Sequence, residues 1–428
     1  MSVFGTSRPA RSRGKVWTGV AVAATSVLFL SACASGEPDA GQEESAGPRD
    51  DLALTIGTAL PQTGNLAFLG PPEEAGVAYA ASQINEVSDT TGLTLDVVYG
   101  DSGDTDNKAY ETEIPRLLGE GVSAIIGAAS SGTSLQFIDQ VTGAGVIQFS
   151  PANTSDAFTT YDDNGLYFRT APSDVLQGEV LGNLIAEDGN QTLGLIVLND
   201  SYGTGLAKYV TEAFEGAGGE VVAEATYNTG DTTFDAQINA VLAAAPDAIA
   251  LITFDEVSTI LPGLFGQFPA DKLYFVDGNL KNFADAFPAG SLTGAKGTLP
   301  GLSIDSISDF TGELDAFLES EGTPALEDYS YAAESFDATI LLALAALAAN
   351  STDSADIAAK LIEVSGGEGD GEKCSTYAEC AEIIVGGGTA DYEGISGPIT
   401  FDEVGDPTEA SIGIYQYGED NTYSAYEG

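Results

Sequence analysis

Residues 124–154 read AIIGAASSGTSLQFIDQVTGAGVIQFSPANT, and this stretch decides the fold. Val122 to Ile126 is a short apolar run beside Gly, long enough for a buried strand and too short for a buried helix. It leads into Gly127-Ala128-Ala129-Ser130-Ser131-Gly132-Thr133-Ser134 and then into LQFIDQVT, where Leu135, Ile138 and Val141 recur at helical spacing. The pattern is strand, small-residue turn, helix. A second strand, Gly145 to Phe149, ends in another hydroxyl-rich turn, Ser150-Pro151-Ala152-Asn153-Thr154-Ser155.

In a parallel sheet both turns fall on one edge, where open α/β folds bind ligands. The N-terminus of the intervening helix offers unpaired N–H groups and partial positive charge to a carboxylate or phosphate. A Ser/Thr turn before a helix also serves as a plain N-cap. Both readings stand at this point.

Outward from this unit the chain repeats it. LALTIGTAL and LTLDVVYG read as strands, EEAGVAYAASQINEV and KAYETEIPRLLGEG as helices. After Thr170 the alternation resumes with TLGLIVLND, SYGTGLAKYVTEAFEGAG, EVVAEATYN, FDAQINAVLAAAP, DAIALITF, STILPGLFGQF and KLYFVDG. Such alternation implies parallel sheets covered by helices on both faces, and 428 residues suffice for two such domains. YSYAAESFDATILLALAALAAN has too short an uncharged part to span a bilayer and is expected as a buried core helix.

At the start, Arg8, Arg11, Arg13 and Lys15 precede a nearly uncharged run, Val16 to Leu30, the pattern of a secretory signal. The run ends in Leu30-Ser31-Ala32-Cys33, which resembles the lipobox of bacterial lipoproteins, with Cys33 as the lipid-modified residue. Residues 34–51, ASGEPDAGQEESAGPRDD, lack the apolar content for a core and read as a tether. The mature domain is therefore expected outside the membrane, on the extracellular face of the cell.

The chain carries 14 basic and 65 acidic residues, and loss of the leader removes four of the basic ones. Such a charge repels phosphate backbones and excludes nucleic acid as a partner. It also suits a concentrated-salt setting, an expectation that loss of solubility at molar salt would overturn. With Cys33 consumed by lipid, Cys374 and Cys380 are expected to pair as a local clasp, since a metal site would have only these two thiols and no His. Asp101, Asp104 and Asp106 space like a calcium loop but lack its Gly and closing Glu, and read as acidic caps of a strand-to-helix turn. No metal or cofactor is expected.

Residues 56–85, the Ser130-Ser131-Gly132 turn, SPANTSD, NDSYGTGLA, YNTGDTTFDAQI and SGPITFDEVGDP occur in an order and spacing that resembles the branched-chain amino-acid-binding proteins of ABC importers. The resemblance implies a type I periplasmic-binding-protein fold, with two Rossmann-like lobes joined by three crossovers and the ligand in the cleft between them. It implies crossovers near Ala171, Pro300 and Pro398, so that residues 52–171 and 300–397 form one lobe and 172–299 and 398–428 the other, after a signal over 1–32 and a tether over 33–51. It places an amino-acid carboxylate on Ser131 and Thr154 and the ammonium near the Ala152 carbonyl and Asp277. Tyr202 and Phe254 would line the cleft from the second lobe. Phe68-Leu69 departs from the family pattern, where Tyr often precedes Gly.

Each residue has a plainer reading: Phe254 as core, Asp277 as a turn former, the two hydroxyls as caps. A hydrolase would need a nucleophile with a base; the chain has no His and no Gly-x-Ser-x-Gly elbow. The sequence thus points to a receptor rather than an enzyme, delivering an amino acid, or another small amide, urea or carboxylic acid, to ABC permease subunits. A cell-surface sensor of the same fold is the competing reading.

Overall fold

The computed structural model describes residues 51–426, apart from 285 and 370. The expected signal, Cys33 and the tether up to residue 50 lie outside the described residues. The first lobe opens with β1 (Leu52–Ala59), α1 (Gly70–Glu86), the single turn α2 (Ser88–Thr91), β2 (Leu93–Val98), α3 (Tyr110–Glu120), β3 (Ala124–Gly127), α4 (Ser131–Gly143), β4 (Ile147–Ser150) and β5 (Tyr167–Arg169). These strands form one parallel sheet in the order β2-β1-β3-β4-β5. All four residues of β3 are buried, as they must be in a strand with helices packed on both faces.

The second lobe contains α5 (Asp174–Glu187), β6 (Thr192–Leu198), α6 (Ser201–Gly216), β7 (Glu220–Tyr227), α7 (Asp235–Ala243), β8 (Ala248–Ile252), α8 (Val257–Leu264), β9 (Leu273–Phe275) and β10 (Lys296–Pro300). The chain then returns to the first lobe for α9 (Ser308–Ser320), α10 (Ala332–Ala349), α11 (Ser354–Val364), β11 (Glu372–Cys374), α12 (Tyr377–Val385) and β12 (Ala390–Tyr392). It ends in the second lobe with β13 (Ile412–Tyr417) and β14 (Tyr423–Ala425). The second sheet runs β14-β13-β10-β9-β8-β6-β7, parallel from β10 to β7, with β13 and β14 antiparallel at one edge.

Each lobe has its own core. In the first, α10 lies buried from Ala332 to Leu347, which is why its sequence is apolar all round from Ile340 on. The Ala/Leu-rich stretch is thus a core helix. The disulfide joins Cys374 at the end of β11 to Cys380 in α12, with an S–S distance of 2.04 Å, in this lobe's core and away from the cleft.

Two features differ from the sequence reading. Helix α5 was not among the expected elements, and glycines hide it: Gly178 and Gly182 weaken the helical signal. They are there because α6 packs close: a Cβ at 182 would stand 2.7 Å from the Ala213 Cβ, and one at 178 would collide with Tyr209. The third passage between lobes comes later than the expected Pro398. Ile399 and Phe401 are buried in the first lobe's core, Phe401 against Phe149 and Phe168, and the chain leaves only at Ala410–Ser411.

Candidate ligand-binding site

The two hydroxyl-rich turns are stitched to each other. Ser130 caps α4, its Oγ accepting from the Thr133 N–H at 3.2 Å. Ser131 Oγ accepts from the backbone N–H groups of Thr154 and Ser155, both at 3.3 Å, which leaves its own O–H to donate. Ser150 donates to the Ala128 carbonyl at 2.7 Å, and the Asn153 amide donates to the carbonyls of Ala128 and Ala129 at 3.0 and 2.8 Å. The Tyr167 hydroxyl donates to Asn153 Oδ1 at 3.0 Å.

Beneath the second turn lies Arg169, fully buried at the end of β5. It donates to both oxygens of Asp406, at 2.6 and 2.7 Å, to the Ser155 and Asn153 carbonyls at 2.8 and 3.3 Å, and to Thr159 Oγ1 at 3.1 Å. A forked guanidinium suits this task, since one carboxylate satisfies its charge while the remaining N–H groups grip the turn.

The opposite wall comes from the second lobe. Asp200 caps α6, accepting from the Gly203 N–H at 2.7 Å, and the next turn aims Tyr202 into the cleft. Asp277, after β9, is buried and accepts from the Tyr202 hydroxyl at 2.6 Å, the Tyr331 hydroxyl at 2.7 Å and the Gln177 amide at 3.0 Å. Burial pushes its carboxyl up, against the pull of these three donors. Phe254 stacks on Tyr202, ring centres 5.1 Å apart and planes at 18°.

Ser131, Ala152, Tyr202, Phe254 and Asp277 line one cavity, joined by Leu66 and Leu69 from the loop before α1. As the lobes stand it has room for about one water molecule, and it is polar around Ser131 and Asp277 but apolar at Leu66, Leu69 and Phe254. Thr154 stands behind this wall, buried, with no hydrogen-bond partner of good geometry for its hydroxyl. It faces Asp174, the first residue of α5, whose buried carboxyl oxygens also lack one. Burial above all, and then the negative charge of Asp277, hold the Asp174 carboxyl well above its usual range.

The lobes touch around this cavity. Ser155 Oγ donates to the Ser201 carbonyl at 3.1 Å, and Asn65 Nδ2 donates to Glu256 at 3.1 Å. Tyr209 bonds Asp156. Lys281 is held outside by Asp255 and by the Phe68 ring. No Lys or Arg lines the cavity among the described residues. An anionic group there meets hydroxyls and a helix N-terminus; a cationic group meets the Asp277 carboxyl.

Sequence reasoning missed Arg169, Asp174, Gln177 and Tyr331. Arg169 had a signal: an Arg in the buried run Tyr167-Phe168-Arg169, in a chain so poor in basic residues, demands an internal acid. The others had none, because first-turn acids are ordinary helix residues and Tyr331 is turned inward by a left-handed backbone, φ 61°. Asp101 and Asp104 accept backbone N–H bonds, from Gln62, Thr63 and Gly103 and from Asn65, Asp106 and Asn107 respectively, so they fix loops.

The periplasmic binding protein family matches this chain over residues 53–373, three quarters of its length. The chain belongs to that family. It is 27% identical to the leucine-, isoleucine-, valine-, threonine- and alanine-binding protein of Pseudomonas aeruginosa over 86% of this chain and 91% of that one. It is 24% identical to the chemotactic signal transduction system substrate-binding protein BasB of Halobacterium salinarum, covering 81% and 83%. Its fold matches the crystal structure of the branched-chain amino-acid transporter substrate-binding protein LivJ from Streptococcus pneumoniae in complex with isoleucine, with TM-score 0.68, 22% identity, and coverage of 88% and 100%. The resemblance to branched-chain amino-acid-binding proteins of the type I fold therefore holds. This periplasmic binding protein binds a solute outside the cytoplasm, in a family of receptors rather than enzymes that work with ABC permeases.

Proposed function

We propose that this binding protein takes up an aliphatic α-amino acid in the inter-lobe cavity and presents it to ABC permease subunits, anchored to the outer face of the membrane by lipid on Cys33. The observation that carries the ligand class is the cavity's polarity: hydroxyl and helix-terminus donors at Ser131 share the cavity with the carboxyl of Asp277, and Leu66, Leu69 and Phe254 make an apolar end. In this reading Ser131 holds the carboxylate with Thr154 in support behind it, while the Ala152 carbonyl and Asp277 face the ammonium. A simple carboxylic acid brings no cation to Asp277, and a urea or amide offers the donor end a neutral carbonyl in place of a carboxylate. A thermal-shift screen of amino acids, amides and carboxylic acids tests it, since a ligand at about 100 times its dissociation constant adds about 2.7 kcal/mol of stability. A shift with isocaproate as large as that with L-leucine would overturn the amino-acid reading.

A second reading, in which the loaded protein docks on a membrane sensor instead of a permease, is favoured by the similarity to the chemotactic binding protein. Stimulation of a reconstituted permease's ATPase by the loaded protein separates the two.

A further inference from the structure

The three linkers between the lobes surround a narrow cavity with a carboxyl group inside it. Thr170 and Pro172 of the first linker, Gly301 of the second, and Pro398 and Ser411 near the third line it, together with Glu334 from the first turn of α10. There is room for about one water molecule. Glu334 is buried. Its backbone carbonyl accepts from Thr170 Oγ1 at 3.0 Å, and its carboxyl lies so close to Gly301 that a Cβ there would collide with Oε1. Gly301 also has φ +95°, a second reason for glycine at this position. One carboxyl group is thus packed against two of the three linkers.

Its neighbours offer it no positive charge. Glu73 from α1 is fully buried with both oxygens unpartnered, and Glu409 lines the cavity from the third passage. Asp337, one turn along α10, is already occupied by the Tyr392 and Ser396 hydroxyls, both at 2.6 Å, and by the Ile395 and Ser396 N–H groups. Tyr331 and Tyr415 are the phenols within electrostatic reach. Burial, opposed by its own N–H and reinforced by Asp337, pushes the Glu334 carboxyl up to about 8.

We propose that Glu334 binds a proton when the lobes close and releases it when the linkers part, so that closure of this protein is coupled to pH. The linkers exclude water from the carboxyl only while they are packed against it; hinging admits water and restores the charged form. The sign follows from linkage. An acid that is harder to ionise in the closed form leaves closure unpenalised at low pH, and the penalty grows as pH rises from the ordinary carboxylate range to about 8. Over that window one proton shifts the closed-to-open ratio by up to about tenfold per pH unit.

Donor and acceptor dyes on Thr112→Cys and Glu215→Cys, exposed positions in the two lobes, read the lobe separation without any ligand. Cys374 and Cys380 are bonded to each other and do not compete for dye, and Cys33 is changed to Ser in the labelled protein. The closed fraction should fall as pH is raised from about 5 to about 9. Glu334→Gln should flatten this response; Glu334→Asp, which keeps an acid, and Glu73→Gln should retain it. A separation that does not change with pH in the native protein overturns the proposal, as does a response that survives Glu334→Gln or is abolished by Glu73→Gln instead.

Discussion

The Asp200 carboxylate of the second lobe rests on Gly132 of the first, so close that a Cβ at 132 would stand 2.7 Å from Asp200 Oδ2. The contact spans the cleft at the N-terminus of α4, where negative charge is favourable and a side chain has no room.

Gly132→Ala should therefore obstruct closure without disturbing either core. Ligand affinity should fall at least tenfold, while the melting temperature of the ligand-free protein stays within a degree or two. Calorimetric titration with L-leucine beside thermal unfolding checks both; unchanged affinity would show that the lobes need not meet here.

Removing a donor at the anionic end should weaken binding by roughly ten- to a hundredfold, because a hydrogen bond to a charged group is worth about 1.5 to 3 kcal/mol. Ser131→Ala and Thr154→Ala test this by titration with L-leucine. Ser131→Ala should also cost stability, since Ser131 Oγ accepts the Thr154 and Ser155 N–H groups. Thr154→Ala has no such bond to lose.

Asp277→Asn separates charge from shape. Three donors converge on the two carboxylate oxygens, and an amide can accept on only one side. Affinity for L-leucine should drop at least tenfold, and binding of isocaproate, which lacks the ammonium, should change much less. Equal losses for the two would mean that Asp277 serves only the architecture of the cleft.

Arg169→Met should strand the Asp406 carboxylate and the carbonyls of Asn153 and Ser155. Breaking a buried pair on one side costs about 3 to 5 kcal/mol, and the double variant Arg169→Met/Asp406→Leu should recover part of it. Urea unfolding measures both, and a single variant as stable as the native protein would contradict the role given to Arg169.

Cys374→Ser with Cys380→Ser should lower stability by about 2 kcal/mol, the scale for a short loop, and leave affinity within a few fold. Abolished binding would place the clasp in the site.

The strand, turn and helix around Ser131 were legible because buried strands and amphipathic helices have different periods and their junction is rich in hydroxyls. Buried α10 was legible for a similar reason, being apolar on every side from Ile340 on. What eluded the sequence depends on tertiary contacts. The glycines of α5 record its fit against α6, and Phe401 sits in a loop whose lobe is set by tertiary contacts, to Phe149, Phe168 and Ser365. Within the site, hydroxyl turns announce themselves, whereas Asp174 and Tyr331 matter only for where the second lobe and a left-handed backbone point them.

Gly301 N–H donates to the Ser411 carbonyl at 2.9 Å, so the second and third linkers are bonded into a ribbon, with the first, at Thr170 to Ser173, separate from it. Two supports rather than three independent ones define an axis about which the lobes are expected to turn. Opening is then expected to run along one main coordinate. Two distances between the lobes, measured from different label pairs, would rise and fall in fixed proportion, and a substitution of Ser411 by proline, which leaves the carbonyl in place but stiffens the ribbon, would change the rate of that motion without changing its direction.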